Sequence, residues 1–260
     1  MTRAFLCAVV GVAFIATAAA TQAPSQNVVQ QATGVEPRGA LPFRVGEELV
    51  YKVRFGKLPA GTARMRVEGI EEVHGHPTFH VVMTVDGGVK WVFEVHDRYE
   101  SWIDTLTLAS RRHVQDIHDG PYRRHSRYEI FPEDRKYREN SDTTLRASVD
   151  APLDDGSFIY FMRTVRVPVG QTREFQQYFK PDRNPVVIRA LRRDTVEVPS
   201  GRYPTVVVRP TIRANGIFAE DGQAELWISD DAKRMLVKME SRFAGFTLSL
   251  TLTSVRSGAP

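Results

Sequence analysis

The chain has 260 residues, of which 42% are hydrophobic and 25% are charged, and its formal net charge is +4. This composition is typical of a globular protein with one large domain or two small ones. Basic and acidic residues are interspersed and no long basic run occurs, which argues against a nucleic-acid partner.

The first 20 residues have the pattern of a secretory signal peptide. Arg3 precedes an apolar run from Ala4 to Ile15, and the small residues 18–20 offer a cleavage site. This run is shorter than a typical membrane span. Cleavage would remove Cys7, the one cysteine, and with it any disulfide or thiolate chemistry. We therefore expect a periplasmic or secreted protein that is soluble after signal cleavage.

Residues 21–42 are rich in Gln, Ala, Pro and Gly and are predicted to form a flexible linker. A single β-rich domain is expected from residue 43 to residue 256. Apolar residues then alternate with polar ones, which predicts strands near residues 49–55, 63–67, 79–85 and 89–95, with a turn at residues 86–88. Two less apolar stretches, residues 110–118 and 122–131, are predicted to be exposed or edge strands.

One stretch departs from this two-residue period. Phe158, Phe161, Met162 and Val165 follow the spacing of one helix face. Asp154, Asp155 or Ser157 can cap the start, and Pro168 forbids continuation, so a helix is predicted from Asp155 to Thr164. Strand patterns resume after it and continue to about residue 255. The predicted fold is mainly β, with curled antiparallel sheets, an open barrel or a β-roll in two β-rich halves around one short central helix.

Position 97 places a carboxylate in an otherwise apolar stripe. Trp91, Phe93 and Val95 occupy one strand face, and Asp97 continues it. A buried Asp97 needs a partner or an elevated pKa, and Arg163 is a conceivable partner; a bulge would instead return Asp97 to water. The opposite face of this strand carries a polar row that ends at Trp102. That row is either a solvated surface or a surface for a sugar or a headgroup.

No motif assigns a catalytic chemistry. The seven histidines have no recognised metal-ligand spacing, and the chain has no Gly-x-Ser-x-Gly elbow and no phosphate-binding glycine loop. We therefore expect no metal, no cofactor and no assigned catalytic residue. Carboxylates paired in space, as in glycoside hydrolysis, remain an alternative.

Several segments resemble domain-of-unknown-function family 3108 (DUF3108). The resemblance runs from residue 43 to about residue 255 and is carried by residues 43–51, 58–63, 97–104, 198–203 and 226–231, together with Phe158, Tyr160 and Arg163 of the predicted helix. It implies a secreted, β-rich envelope protein and brings no activity or catalytic residue set with it.

The leading hypothesis is a periplasmic binding or carrier protein for an amphipathic ligand, either a lipid or a lipid-linked glycan. Helix side chains would contact the apolar part, and Arg98 and Arg163 would meet an anionic head. One alternative is an envelope polysaccharide-processing enzyme that uses Asp97 and Glu100; another is a non-catalytic scaffold with an envelope protein partner. The candidate ligand-binding residues are Trp91, Asp97, Arg98, Phe158, Tyr160, Phe161, Met162 and Arg163.

Overall fold

The computed structural model describes residues 40–89, 93–213, 223–243 and 246–258, together with the backbone of Gln30 and Gln31. The predicted signal peptide (residues 1–20) and most of the predicted linker (residues 21–42) lie outside these ranges. No helix within the described ranges is long and apolar enough to cross a membrane.

The described strands form one large sheet that does not close into a barrel. Neighbouring strands pair antiparallel throughout, except that β1 pairs parallel with β10. This confirms the predicted fold class. The strand order is β1-β10-β11-β12-β13-β14-β15-β2-β3-β4-β5-β6-β7-β8-β9. The strands are β1 (Gln30–Gln31), β2 (Glu48–Phe55), β3 (Leu58–Val73), β4 (His76–Val89), β5 (Phe93–Asp104), β6 (Ser110–Asp119), β7 (Tyr122–Phe131), β8 (Lys136–Glu139), β9 (Arg146–Ala147), β10 (Thr172–Phe175), β11 (Val186–Val198), β12 (Gly201–Thr211), β13 (Glu225–Ser229), β14 (Leu236–Phe243) and β15 (Phe246–Arg256).

Two meandering halves meet at a seam between the last strand and the first long one. Strands β2 to β9 form one half, and β10 to β15 form the other. The helix α1 (Asp155–Thr164) connects them, and β15 pairs with β2 to join them. The sheet curls enough for its two ends to approach, because Leu153, which follows β9, bridges to Tyr178, which follows β10.

The main core lies on the concave side of this curled sheet, where α1 packs. Alternate residues of each strand point inward, as the two-residue period requires. Phe158, Tyr160 and Met162 of the helix are buried against them. Buried side chains from distant strands meet in this one cluster, including Tyr51, Met65, Val81, Ile103, Leu226 and Leu252.

The turn predicted at residues 86–88 is wrong, because these residues lie inside β4. Gly87 pairs with Gly61 across β3 and β4, and the strands approach so closely there that a Cβ on Gly87 would lie 2.0 Å from the Ala60 carbonyl oxygen. Glycine is therefore needed because the two paired strands approach closely at this point. The sequence alone does not distinguish this use of glycine from a turn.

The expectation of exposed or edge strands is also wrong for residues 110–118, and residues 122–131 are exposed on one face but do not lie at an edge. Strand β6 lies between β5 and β7, and β7 lies between β6 and β8. The polar side chains of Arg111, His113, Gln115 and Asp119 on β6 are buried. Strand β6 looks exposed in the sequence because it is polar, but most of its polar side chains are buried inside the protein.

Candidate functional site

The N-terminus of α1 is held by a buried capping box. The Asp154 carboxylate accepts hydrogen bonds from the backbone N–H groups of Gly156 (2.8 Å) and Ser157 (2.9 Å), and the Asp154 N–H donates to the Ser157 hydroxyl. Such a cap stabilises a helix by about 0.5–2 kcal/mol. Asp154 is therefore the capping residue among the three that the sequence offered.

A buried polar cluster joins this cap to β5 and β6. The Ser101 hydroxyl donates to Asp154 Oδ1 at 2.6 Å, and His113 Nδ1 lies 2.8 Å from the Glu100 carbonyl oxygen. Ser101, His113 and Asp154 are fully buried. Burial lowers the pKa of His113, but the carboxylates of Asp154 and Asp155 outweigh that effect and leave the pKa above its ordinary value.

Serine, histidine and aspartate are the residue types of a nucleophilic triad, but their geometry here is structural. The Ser101 hydroxyl gives its proton to Asp154, and the Nδ1 proton of His113 is directed at a main-chain carbonyl. His113 Nδ1 also lies 3.3 Å from the Ser101 oxygen, but because this nitrogen carries a proton it cannot take the serine proton, as nucleophilic attack would require. Because all three side chains are shielded from solvent, the cluster anchors the helix to the sheet.

The C-terminal end of α1 is tied to the start of the domain by Arg163. This guanidinium is 0% exposed and forms two hydrogen bonds with the Glu47 carboxylate, at 2.6 and 3.0 Å. It also donates to the carbonyl oxygens of Pro42 and Lys233 and lies over the Phe43 ring. The conceivable pairing of Arg163 with Asp97 is therefore wrong, and the Arg163 side chain has no free surface for an anionic headgroup.

Asp97 points into the concave interior and is buried, as one of the two sequence interpretations requires. Its Oδ1 accepts a hydrogen bond from the His118 N–H at 3.0 Å. Burial raises the pKa of Asp97, and the hydrogen bonds from His118 and Tyr99 oppose that rise only in part. On the neighbouring strand, burial and the Asp97 charge raise the pKa of Asp119 to about 6.

Arg98 projects from the opposite face of β5. It donates two hydrogen bonds of 2.9 Å to the Glu100 carboxylate on that same face. Asp97 and Glu100 therefore lie on opposite sides of the sheet and do not form the acid–base pair of the enzyme alternative. Arg98 lines a shallow cleft of about 280 Å³ with Arg64 and Arg66, and each of these three arginines is paired with an acidic side chain.

The Trp102 ring is unavailable as a platform for a sugar. His80 stacks on one face, with 4.4 Å between ring centroids and 6° between the planes, and the Arg112 guanidinium lies 5.3 Å from the Trp102 centroid. The indole N–H donates to Glu71 at 2.7 Å. Because the ring already has these neighbours and is 8% exposed, it stabilises the convex face of the sheet.

The remaining candidate residues divide between the core and a cleft. Phe158 and Tyr160 lie in the core, while the half-buried Phe161 packs edge to face on Phe175 with centroids 5.2 Å apart. Met162 lines a cleft at the C-terminal end of the helix. Trp91 lies outside the described residues.

This apolar cleft opens beside the segment that follows α1, residues 165–169, and has a volume of about 270 Å³. Arg166 and Arg193 lie at its rim, and Arg193 is 3.4 Å from the Asp230 carboxylate. Arg234 caps the C-terminal end of the helix by donating to the carbonyl oxygens of Arg163 and Val165, both at 2.8 Å. The apolar side chains that line the cleft include Met162, Val167, Ile188, Val206, Val208 and Ile228.

The rim of the apolar cleft is electropositive. Burial, and next the Arg166 cation, lower the pKa of Arg234 despite the presence of Asp230. An apolar surface edged by cations fits a ligand with an apolar chain and an anionic head. No sequence motif marks the cleft, because its lining combines the helix, the segment after it and alternate residues of the three consecutive strands β11, β12 and β13.

One other feature is absent from the sequence interpretation. The Ser101–His113–Asp154 cluster joins residues far apart in the chain, and no local pattern announces it. Within the described ranges, no group of three or more His, Cys, Asp or Glu side chains is placed to hold a metal ion.

One solved structure shares the fold at low sequence identity, and two others are more weakly similar. A β-barrel-like protein of the domain of unknown function DUF1849 from Brucella abortus aligns with a TM-score of 0.50 and 10% identity, over 84% of this chain and 99% of that one. A candidate lipoprotein from Parabacteroides distasonis aligns with a TM-score of 0.37 and 10% identity, over 85% of this chain and 100% of that one. A candidate exported protein from Bacteroides fragilis aligns with a TM-score of 0.31 and 12% identity, over 84% and 98%.

The curated proteins include no significant match to this chain. A family model described as "Protein of unknown function (DUF3108)" matches residues 50–251, which is most of the chain and contains both halves of the sheet and the helix between them. The chain therefore belongs to the DUF3108 family.

Proposed function

We propose that this protein is a periplasmic or secreted binding protein, a carrier for an amphipathic ligand such as a lipid or a lipid-linked glycan. The apolar cleft is the observation that carries the proposal. Its volume of about 270 Å³ is close to the lower end of small-molecule sites, about 300–1,000 Å³. The cleft therefore accepts one acyl segment, while the rest of the ligand stays outside.

The rim supports an anionic head on that ligand. Arg166 is exposed, and the Arg193 side chain is 77% exposed, so both guanidinium groups can reach a group that protrudes from the cleft. Arginine binds carboxylate and phosphate oxygens through two parallel N–H groups, which gives both attraction and orientation. The proposed ligand thus meets apolar side chains at the base of the cleft and cations at its edge.

Native mass spectrometry with phosphatidylglycerol and phosphatidylcholine tests the proposal. The full chain without its first 20 residues should retain a lipid adduct, with phosphatidylglycerol preferred. Val206→Phe fills the cleft from β12 and should abolish the adduct. Val187→Phe is the matched control, since residue 187 alternates with the cleft residue Ile188 and points to the other face of β11.

Two results would overturn the carrier function. One is the absence of any adduct with either lipid under conditions that preserve the fold. The other is an equal amount of lipid adduct on Val206→Phe and on the wild-type protein, since lipid bound elsewhere on the surface would not be affected by filling the cleft. Arg166→Gln should reduce the preference for phosphatidylglycerol without abolishing binding.

A further inference from the structure

We propose that Arg124, Lys180 and Arg183 form a second binding site, specific for a phosphate-type oxyanion. This group of three side chains is called the cationic basin below. It lies near Asp155 at the N-terminal end of α1, whereas the apolar cleft lies beside the segment that follows the C-terminal end of α1. The site is therefore separate from the proposed carrier function.

The loop between β10 and β11 holds two of the three cations in place. Asn184 fastens this loop, because its side-chain oxygen accepts from the Tyr178 N–H and its side-chain nitrogen donates to the Tyr178 carbonyl, both at 2.9 Å. The Ser148 hydroxyl adds a hydrogen bond of 2.8 Å to the Phe179 carbonyl. Lys180 and Arg183 are consequently presented by a constrained loop and not by a free one.

Aromatic rings pack against the Lys180 and Arg183 cations. Lys180 Nζ lies 4.4 Å from the Tyr128 ring centroid and 5.2 Å from that of Phe179. The Arg183 guanidinium lies 5.5 Å from the Tyr178 centroid and donates to the Tyr178 hydroxyl at 3.2 Å. Cation–π contacts hold the positive groups in position without neutralising them.

Two of the three cations converge on one hydroxyl group, and the third, Arg183, contacts the Tyr178 hydroxyl. Lys180 Nζ and Arg124 Nη2 lie 3.2 and 3.4 Å from the Tyr128 hydroxyl oxygen. The nearest acidic partner of Arg124 is Glu139 at 3.7 Å, and Glu139 is shared with Arg146. The Tyr128 hydroxyl donates to Glu139 at 3.0 Å and the Tyr178 hydroxyl donates to Asp155 at 2.6 Å, so two carboxylates border the three cations and the charge of the region stays positive.

Among the residues that the structure describes, no carboxylate oxygen lies within 4.0 Å, the distance limit for an ion pair, of the Lys180 ammonium or the Arg183 guanidinium. Burial, followed by the Arg183 charge, lowers the pKa of Lys180, and Glu139 and Asp155 only partly oppose this. A half-buried ammonium without a counter-ion is unfavourable. An anion in the basin would remove that cost, which gives it a physical reason to bind there.

The donor set favours a phosphate oxyanion. Two guanidinium groups offer several fixed N–H donors, and the lysine ammonium adds a compact charge, so different oxygens of one tetrahedral anion can be bound together. Such an anion occurs both as inorganic phosphate and as a phosphoester headgroup. The two sources share the chemistry that the basin recognises.

Isothermal titration of the full chain without its first 20 residues tests this site, with inorganic phosphate and glycerol 3-phosphate as separate probes. We expect binding of at least one probe. Lys180→Gln and Arg183→Gln should each weaken it about tenfold or more, as expected for the loss of a charge-assisted hydrogen bond. Lys52→Gln is the matched control, since Lys52 is exposed on β2 and outside the basin.

Thermal unfolding separates loss of the site from loss of the fold. Without phosphate, Lys180→Gln should melt at or above the wild-type temperature, because an uncompensated cation is gone, and added phosphate should stabilise the wild-type protein more. Tighter binding of glycerol 3-phosphate indicates a headgroup, and equal or tighter binding of inorganic phosphate indicates the free ion; both support the basin. No binding of either probe, or an equal loss in Lys52→Gln, overturns it.

Discussion

Removing Arg163 should reveal how strongly the helix is locked to the start of the domain. Arg163→Met keeps an unbranched apolar stem but leaves the Glu47 carboxylate, whose side chain is 8% exposed, without its ion-pair partner. The carbonyl oxygens of Pro42 and Lys233 lose a donor as well. Breaking one side of a buried ion pair typically costs about 3–5 kcal/mol, because the remaining charge stays buried and uncompensated.

This cost converts into a large thermal shift. In a domain of about 150–250 residues, 1 kcal/mol lowers Tm by about 2–4 °C, so Arg163→Met should lower Tm by about 6–20 °C. Urea unfolding followed by tryptophan fluorescence measures the same loss, since Trp102 and Trp227 are buried. The midpoint should fall while the slope of the free energy of unfolding against urea stays unchanged.

Two controls separate a lost ion pair from lost packing. The double variant Glu47→Leu/Arg163→Met removes both charges and should recover much of the stability of the single variant. Arg135→Met breaks an ion pair of 2.7 Å to Asp150 whose side chains are 65% and 78% exposed, and it should cost less than about 1 kcal/mol. The reasoning fails if Arg163→Met costs no more than Arg135→Met.

Two further variants test the buried carboxylate of Asp119 and the close approach of β3 and β4 at Gly87. The folded-state pKa of Asp119, about 6, lies above its ordinary value of 3.8, so the folded protein holds this proton more tightly than the unfolded chain does. The stabilising contribution of this proton is fully present below pH 3.8 and is lost as the pH rises through about 6. Asp119→Asn should therefore raise the free energy of unfolding at pH 7.5 by about 1–2 kcal/mol and give no gain at pH 3.5. Paired urea titrations at the two pH values measure both effects. An equal gain at both pH values would contradict this. Gly87→Ala places a methyl group against the Ala60 carbonyl and should cost about 1–3 kcal/mol in the same assay, whereas Gly69→Ala, which has open space around it, should cost less; equal losses would show that the close approach is unimportant.

Local rules were sufficient for the helix. The spacing of Phe158, Phe161 and Met162, a capping aspartate and the breaking Pro168 predicted α1 from Asp155 to Thr164, and the structure has those bounds. Each signal acts within one or two turns of chain, so no knowledge of the rest of the fold is needed. The two-residue period likewise predicted most strands and the confirmed fold class.

Partners distant in the chain could not be predicted in this way. Glu47 and Arg163 are 116 positions apart, and neither stands in a pattern that points to the other. No sequence feature distinguishes His113 from an exposed histidine, and only the fold encloses it between β5, β6 and the cap of α1. The apolar cleft and the cationic basin have the same origin, since each collects side chains from segments that only the curled sheet brings together.

The seam between β15 and β2 makes the interior dependent on both ends of the domain. Leu252 pairs with Tyr51, so the contact that unites the sheet spans almost the whole domain in sequence. Folding that waits for so distant a contact is slow, because the entropy of closing a long loop is lost before the pairing stabilises anything. A nascent chain that lacks residues 246–256 would expose unpaired backbone groups on both β2 and β14, and such open edges promote intermolecular strand pairing.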